Sequence, residues 1–366
     1  MKTSRLQQWA YIVTLIVFGV IILKEGSFLF VPLLWGIFFA FALYPMAHWL
    51  ELKRTPRALA IVISILVVSV FVIGVLYVLF NQVVNLAKDI PEIGEQLRSK
   101  SNTYLKDIFA FFDLEVGESL ENFGLMEIVK VENLSKTLFA TGKSITLGGI
   151  VPLYVFLLLY YKDFFTSFLL MVSDDPGEKV MNWARSTGSL IKSYLVGLVK
   201  VTFVVALLSG IYFYFIGSKY FILFAVLVGV LNPIPYVGVI LSSSVAIFFM
   251  FLTTDSLLYP LLTILVLWGI QLLENNIITP LVVGSQVKVN ALAVVLAILF
   301  GGWLWGVSGM VLCIPLVGVL KLTLEQSTDY QAYGFLLSDS VKIVEENENY
   351  WSLLRKKIGG KKGSNS

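Results

Sequence analysis

The chain has 366 residues, of which 57% are hydrophobic and 14% charged, for a net charge of +3 and a mean hydropathy of +0.85. Soluble domains carry roughly 25% charged residues, so a soluble protein is excluded and an all-α, polytopic helical membrane protein is expected. The small net charge implies no nucleic-acid partner; the single Cys313 forms no internal disulfide, and the single His48 excludes a histidine-rich metal site.

Ala10 to Leu23 is the first apolar span, and Lys24-Glu25-Gly26 a tight turn. No small-residue cleavage site follows MKTSRLQQW, so the first helix is read as retained rather than as a signal peptide. Ser27 to Leu50 is the second span and Ala58 to Phe80 the third. Lys2, Arg5, Lys53, Arg54 and Arg57 fall on one side and only Lys24 on the other, which predicts cytoplasmic termini by the positive-inside rule. Residues 81–143 then form an extracytoplasmic segment with ten acidic and seven basic residues. Ile90, Ile93, Leu97, Tyr104, Leu105 and Ile108 recur in it at helical spacing, which predicts amphipathic helices on the membrane or against a neighbouring subunit.

Ser144 to Tyr161 is the fourth span. Asp174-Asp175-Pro176-Gly177-Glu178 reads as a helix start on the cytoplasmic side, and the helix feeds directly into the fifth span, Leu195 to Ile216. The next apolar run, Tyr220 to Leu252, is interrupted by Asn232-Pro233-Ile234-Pro235-Tyr236-Val237-Gly238. Proline removes a backbone donor and clashes with the preceding turn, so the run is either one kinked span or a hairpin that enters and returns. Leu257 to Leu273 is a further span, ending at Glu274-Asn275-Asn276, and Ala291 to Leu322 is a second interrupted stretch. The tail is expected in the cytoplasm, with a basic-aromatic patch from Tyr350 to Lys362 at the membrane surface. The organisation is thus N-terminal spans (1–80), the outer segment (81–143), span four and a cytoplasmic helix (144–193), a transport core (194–325) and the tail (326–366).

Two features within the core point to transport. Ile234-Pro235-Tyr236-Val237-Gly238 is echoed by Ile314-Pro315-Leu316-Val317-Gly318, which suggests two proline-broken elements facing each other across a cavity. Between them lies Glu274, a carboxylate beside a long apolar run, which is expensive in hydrocarbon and marks an ion or substrate pathway. Gln271, Asn275, Asn276 and Pro280 flank it, while Asn232, Pro233, Pro235, Tyr236, Gly238 and Pro315 complete the candidate pathway. Lys200 reads as a snorkelling residue. No Ser-His-Asp, Cys-His, P-loop or acidic metal cluster is visible, so neither an enzyme nor a cofactor is expected. A proton-coupled secondary transporter leads a passive oligomeric channel, which saturable gradient-coupled flux would oppose, and a scaffold protein, which explains the broken helices poorly.

Tyr194-Leu195-Val196-Gly197, Leu231 through Gly238, Gln271 through Pro280, and Gly302 through Pro315 together resemble the autoinducer-2 exporter family of bacterial permeases. Leu43-Tyr44-Pro45 and Arg54-Thr55-Pro56-Arg57 fit as well, and the similarity runs over roughly residues 10 to 325. The resemblance implies a homo-oligomeric plasma-membrane permease with about eight membrane segments, handling a small polar solute such as autoinducer-2, or sodium and protons. Asn232-Pro233 departs from the family's usual pattern before Ile-Pro, which weakens transfer of the substrate.

Overall fold

The computed structural model describes residues 5–111, 142–172, 178–282, 289–327 and 329–339. Among them the regular structure is helical, with one isolated antiparallel bridge between Val289 and Ser338. Helix α1 (Arg5–Glu25) turns at Gly26 into α2 (Ser27–Leu52), and α3 (Arg57–Phe111) follows. Next come α4 (Gly142–Tyr160), α5 (Lys162–Val172) and α6 (Glu178–Phe215). The core continues with α7 (Phe221–Leu231), α8 (Val237–Thr253) and α9 (Leu258–Leu273). A π-helical turn, Glu274–Ile278, joins α9 to α10 (Thr279–Val282), ahead of α11 (Ala291–Gln326) and α12 (Gln331–Leu336).

Five helical stretches are long and apolar enough to cross a membrane: Ser27–Leu52, Arg57–Leu86, Glu178–Phe215, Leu258–Val282 and Ala291–Gln326, the last of them broken at Trp305 and Gly306. The pair α4 and α5, bent by 61°, raises this to six among the described residues. The eight segments expected from sequence are therefore not recovered one for one. The third span also differs from its expected end at Phe80. The helix runs on unbroken to Phe111, because the polar residues after Phe80 mark where the chain leaves hydrocarbon, not where a helix must stop. The rest of the outer segment (112–141), the Asp174–Gly177 helix start and the Tyr350–Lys362 patch lie outside the described residues.

Ion pairs join separate elements at the two ends of the bundle. At the end holding the α2–α3 turn, here the basic end, Lys162 Nζ meets Glu51 at 2.8 Å and Arg57 meets Asp163 at 2.6 Å. Arg57 also donates to the Leu159 carbonyl at 2.8 Å, so α2, α3 and α4 are tied together there. His48 stacks on Tyr44 and lies 3.6 Å from Glu51. At the opposite, distal end, Lys219 and the Tyr220 hydroxyl both engage the Asp89 carboxylate, which ties the α6–α7 turn to α3.

Between these ends α6 is the central strut. Its first half packs Leu190, Ile191, Tyr194 and Leu195 against Val31 and Phe38 of α2 and Leu312 of α11. Its second half packs Val201, Val205 and Phe213 against α7, α8 and α9. A third cluster joins α2, α3 and α4 through Ala40, Leu43, Ile61 and Val155.

The broken run 220–252 is a hairpin. Tyr220 and Phe224, at the start of α7, meet Phe249 near the end of α8, edge-on at 5.5 Å and tilted at 4.9 Å between ring centroids. The two helices therefore run antiparallel, turning through Asn232–Tyr236. Eleven and 17 residues give arms of about 16 and 26 Å, short of a hydrocarbon core of roughly 30 Å.

Helix α11 folds back in the same way. Trp305 (φ −133°, ψ 18°) and Gly306 (φ 61°, ψ −141°) break it into arms 291–304 and 307–326. A Cβ on Gly301 would strike the Gly309 carbonyl, and one on Gly309 the Gly301 carbonyl, so backbone lies on backbone. The feet are clasped: Asn290 N–H donates to the Leu337 carbonyl at 2.9 Å, and Asn290 Nδ2 to the Leu336 carbonyl at 2.7 Å.

The two hairpins enter from opposite ends. Helix α6 runs from the basic to the distal end and is followed by a hairpin from the distal end. The stretch α9–α10 runs the other way and is followed by a hairpin rooted at the basic end, whose tip bonds Trp305 Nε1 to the Leu23 carbonyl at 2.9 Å. One plan is used twice in inverted orientation, the organisation that places transporter sites between repeats. The expected pairing of the two prolines is not how the repeats correspond. Pro315 sits buried within the second arm of α11, nine residues past the break.

Candidate functional site

Alternating apolar and small residues seat α7 tightly on α6. A Cβ on Gly229 would lie 2.6 Å from Ala206 Cβ and 2.9 Å from the Thr202 carbonyl, and one on Gly210 would lie 3.0 Å from Ala225 Cβ. The hairpin tip just beyond Gly229 therefore meets α6 near Val199–Thr202. Asn232 closes α7, its N–H reaching the Val228 and Gly229 carbonyls at 3.1 and 3.2 Å. Pro233 and Pro235 stand in a turn in which Ile234 N–H bonds the Leu231 carbonyl at 2.9 Å and Gly238 N–H the Ile234 carbonyl at 3.0 Å. Gly238 is buried where any Cβ would strike the Leu231 carbonyl. Tyr236 has φ 62° and ψ −54°, and Val237 N–H bonds the Pro235 carbonyl across it at 2.7 Å. This is a γ-turn of the rarer, strained hand, and its ring is left exposed.

Glu274 sits inside the span Leu258–Val282, not at its end, and is 7% exposed. Gln271 Nε2 donates to its Oε2 at 2.7 Å, and the Thr279 hydroxyl donates to its Oε1. Gln271 Nε2 also approaches Asn275 Oδ1 at 3.5 Å, and Asn276 Nδ2 donates to the Leu272 carbonyl at 2.8 Å. Among the described residues, Glu274 forms no ion pair. The turn holding it is π-helical, a distortion frequently found at functional sites.

The hairpin tip and the carboxylate share a level on α6. The Tyr212 hydroxyl bonds Thr263 Oγ1 at 2.8 Å. Helices α6 and α9 are antiparallel, so Glu274 lies about 16 Å nearer the basic end, level with Val201. The second tip arrives at nearly the same place. Trp183 Nε1 bonds Thr323 Oγ1 and the Tyr194 hydroxyl bonds the Val311 carbonyl, at 3.0 and 3.1 Å. That antiparallel register sets Trp305 near Leu198, in one cluster with it. The same register carries Pro315 about 15 Å toward the basic end, apart from the other candidates. Asn275, Asn276 and Pro280 are exposed on the outer side of the π-turn. Lys200 is exposed as well, on a stripe with Val196, Val199, Phe203 and Leu207.

Thr279 and Trp305 were not singled out in the sequence, and Gly306 stood there only among the glycines that interrupt Ala291 to Leu322. A Glu and a Thr five apart do not share the face of an α-helix, so nothing linked Thr279 to Glu274. Gly306 was one glycine among several in an apolar stretch.

The model of a family described as AI-2E family transporter matches residues 11–329. "AI-2 transport protein TqsA" of Escherichia coli (strain K12) is 26% identical over 326 residues, covering 87% of this chain and 91% of that protein. "Putative transport protein YrrI" of Bacillus subtilis (strain 168) is 26% identical over 312 residues, covering 80% of this chain and 85% of its own.

Proposed function

The chain belongs to the AI-2E family of transporters, and from that premise we propose that it is a proton-coupled secondary permease of the bacterial plasma membrane. It moves a small polar solute such as autoinducer-2 outward, with both termini cytoplasmic and several copies assembled together. The observation that carries this reading is Glu274, a buried carboxylate whose hydrogen-bond partners are neutral and which has no ion pair among the described residues. A buried charge without a partner is costly, and inside a membrane bundle such a carboxylate belongs to an ion or proton path. The hairpin tip at Asn232–Tyr236, level with it, supplies the broken backbone that lines a solute site. The name of the Escherichia coli relative supports the choice of solute.

The same observation favours sodium/proton exchange as a second reading, because a sodium ion could balance Glu274 in place of the proton. Full-length protein reconstituted in vesicles separates them. Proton-driven autoinducer-2 flux that is lost in Glu274→Gln supports export. Sodium-driven proton movement lost in that variant, with no solute flux, supports exchange. Flux through Glu274→Gln equal to wild type removes Glu274 from the mechanism, and ohmic currents would establish a channel instead.

A further inference from the structure

The two bonds to the Glu274 carboxylate come from residues that a regular α-helix would not bring together. Positions three and four apart share a helical face, so Gln271 qualifies, but Thr279, five residues on, would point elsewhere. The turn Glu274–Ile278 is widened: the Thr279 amide bonds the Glu274 carbonyl across five residues, which stacks residue 279 beneath residue 274. The Thr279 hydroxyl can then donate to Oε1 while Gln271 donates to Oε2. Asn276 contributes Nδ2 to the Leu272 carbonyl, a side-chain insertion into the backbone ladder of the kind that accompanies a distorted helix.

We propose that Thr279 is the positioning residue for Glu274, and that the widened turn serves to bring it there. With both oxygens engaged, the carboxylate is held in one pose facing the bundle. A return to α-helical register would withdraw Thr279 and leave Oε1 without its donor, so the turn is the element able to present or retire the carboxylate. Its place on the level of the two hairpin tips gives that change of register somewhere to act.

Infrared difference spectra of the full-length protein, wild type against Glu274→Gln, isolate the Glu274 carboxyl band. In Thr279→Val that band should shift, while the thermal unfolding midpoint and helical circular dichroism stay as in wild type, and Thr279→Ser should return it. A band in Thr279→Val identical to wild type overturns the assignment. Asn276→Ala touches neither oxygen of Glu274 but removes support from the turn, and should shift the same band even if Thr279→Val fails to fold; an unmoved band there also counts against the assignment. The transport arm of the test rests on the coupling role proposed for Glu274: autoinducer-2 flux in vesicles should lose kcat with KM kept in Thr279→Val and recover in Thr279→Ser. A shifted band beside wild-type flux in both Thr279→Val and Glu274→Gln would sink the coupling role and leave the positioning role standing.

Discussion

Tyr236 holds a backbone conformation that a tyrosine adopts only under constraint, and it does so at the tip of the first hairpin with its ring 64% exposed. Strain of this kind costs on the order of 1–3 kcal/mol and persists where the surroundings over-determine it. Here Pro233 and Pro235 fix the approach and the contact of Gly238 with Leu231 fixes the exit. Because the ring buries little, replacing Tyr236 by glycine removes strain and sacrifices few contacts. Tyr236→Gly should therefore unfold at a temperature equal to or above wild type, the relieved strain offsetting the roughly 0.4–1 kcal/mol that glycine's freedom in the unfolded chain costs, as followed by circular dichroism in detergent. If the strained tip serves solute handling, flux in the same variant falls although the fold is firmer. A variant that is both less stable and fully active would show that the strain is incidental.

At the scale of elements, the hairpins are the test of backbone complementarity. The arms of α11 meet through Gly301 and Gly309, carbonyl against Cα, with the turn supplied by Gly306 at positive φ. Gly309→Leu cannot be absorbed by a side-chain shift, because the obstacle is the backbone of residue 301. Overpacking typically costs about 1–3 kcal/mol, and the expected result is a loss at the upper end of that range, read as a lowered midpoint of thermal unfolding. An unchanged midpoint would mean that the arms are not apposed.

The two hairpins were legible to different degrees. The first was visible because proline punctuates it, although proline alone could not choose between a kink and a reversal; the Tyr220–Phe249 contact decides that. The second was obscured by its own composition. Its break uses Trp305 and Gly306 without proline, while Pro315, which looks like a break, is accommodated inside a helix. Glu274 was legible as a charge where charge is expensive. Its donor Thr279 was not, since a π-turn rewrites which residues are neighbours and apolar periodicity carries no sign of one. Polarity likewise located the membrane exit near Phe80 but not the end of α3.

Across the whole molecule, each end of the bundle is closed by an ion pair that joins elements distant in sequence, and the distal one holds the root of the first hairpin. Lys219, and then Tyr220, donate to Asp89 and hold its carboxyl below the ordinary aspartate range, while Asp89 holds the Lys219 ammonium above the ordinary lysine range. The lowered aspartate value means that its contribution is present above the unfolded value and is lost as pH falls through the folded one. The raised lysine value means that its contribution is present below the unfolded value and is lost as pH rises through the folded one. Both contributions are therefore complete from about pH 5 to pH 9, and the latch cannot act as a switch in that interval. Asp89→Asn should loosen the root, raising the rate at which a thiol reagent labels Ser218→Cys in a background where Cys313 is replaced by alanine. It should leave the shape of the transport rate against pH unchanged over that interval. A wild-type rate that rises or falls between pH 5 and pH 9 must then originate away from the distal latch. If Asp89→Asn itself reshapes the profile near neutrality, the distal end takes part in coupling, and the assignment of that role to Glu274 alone fails.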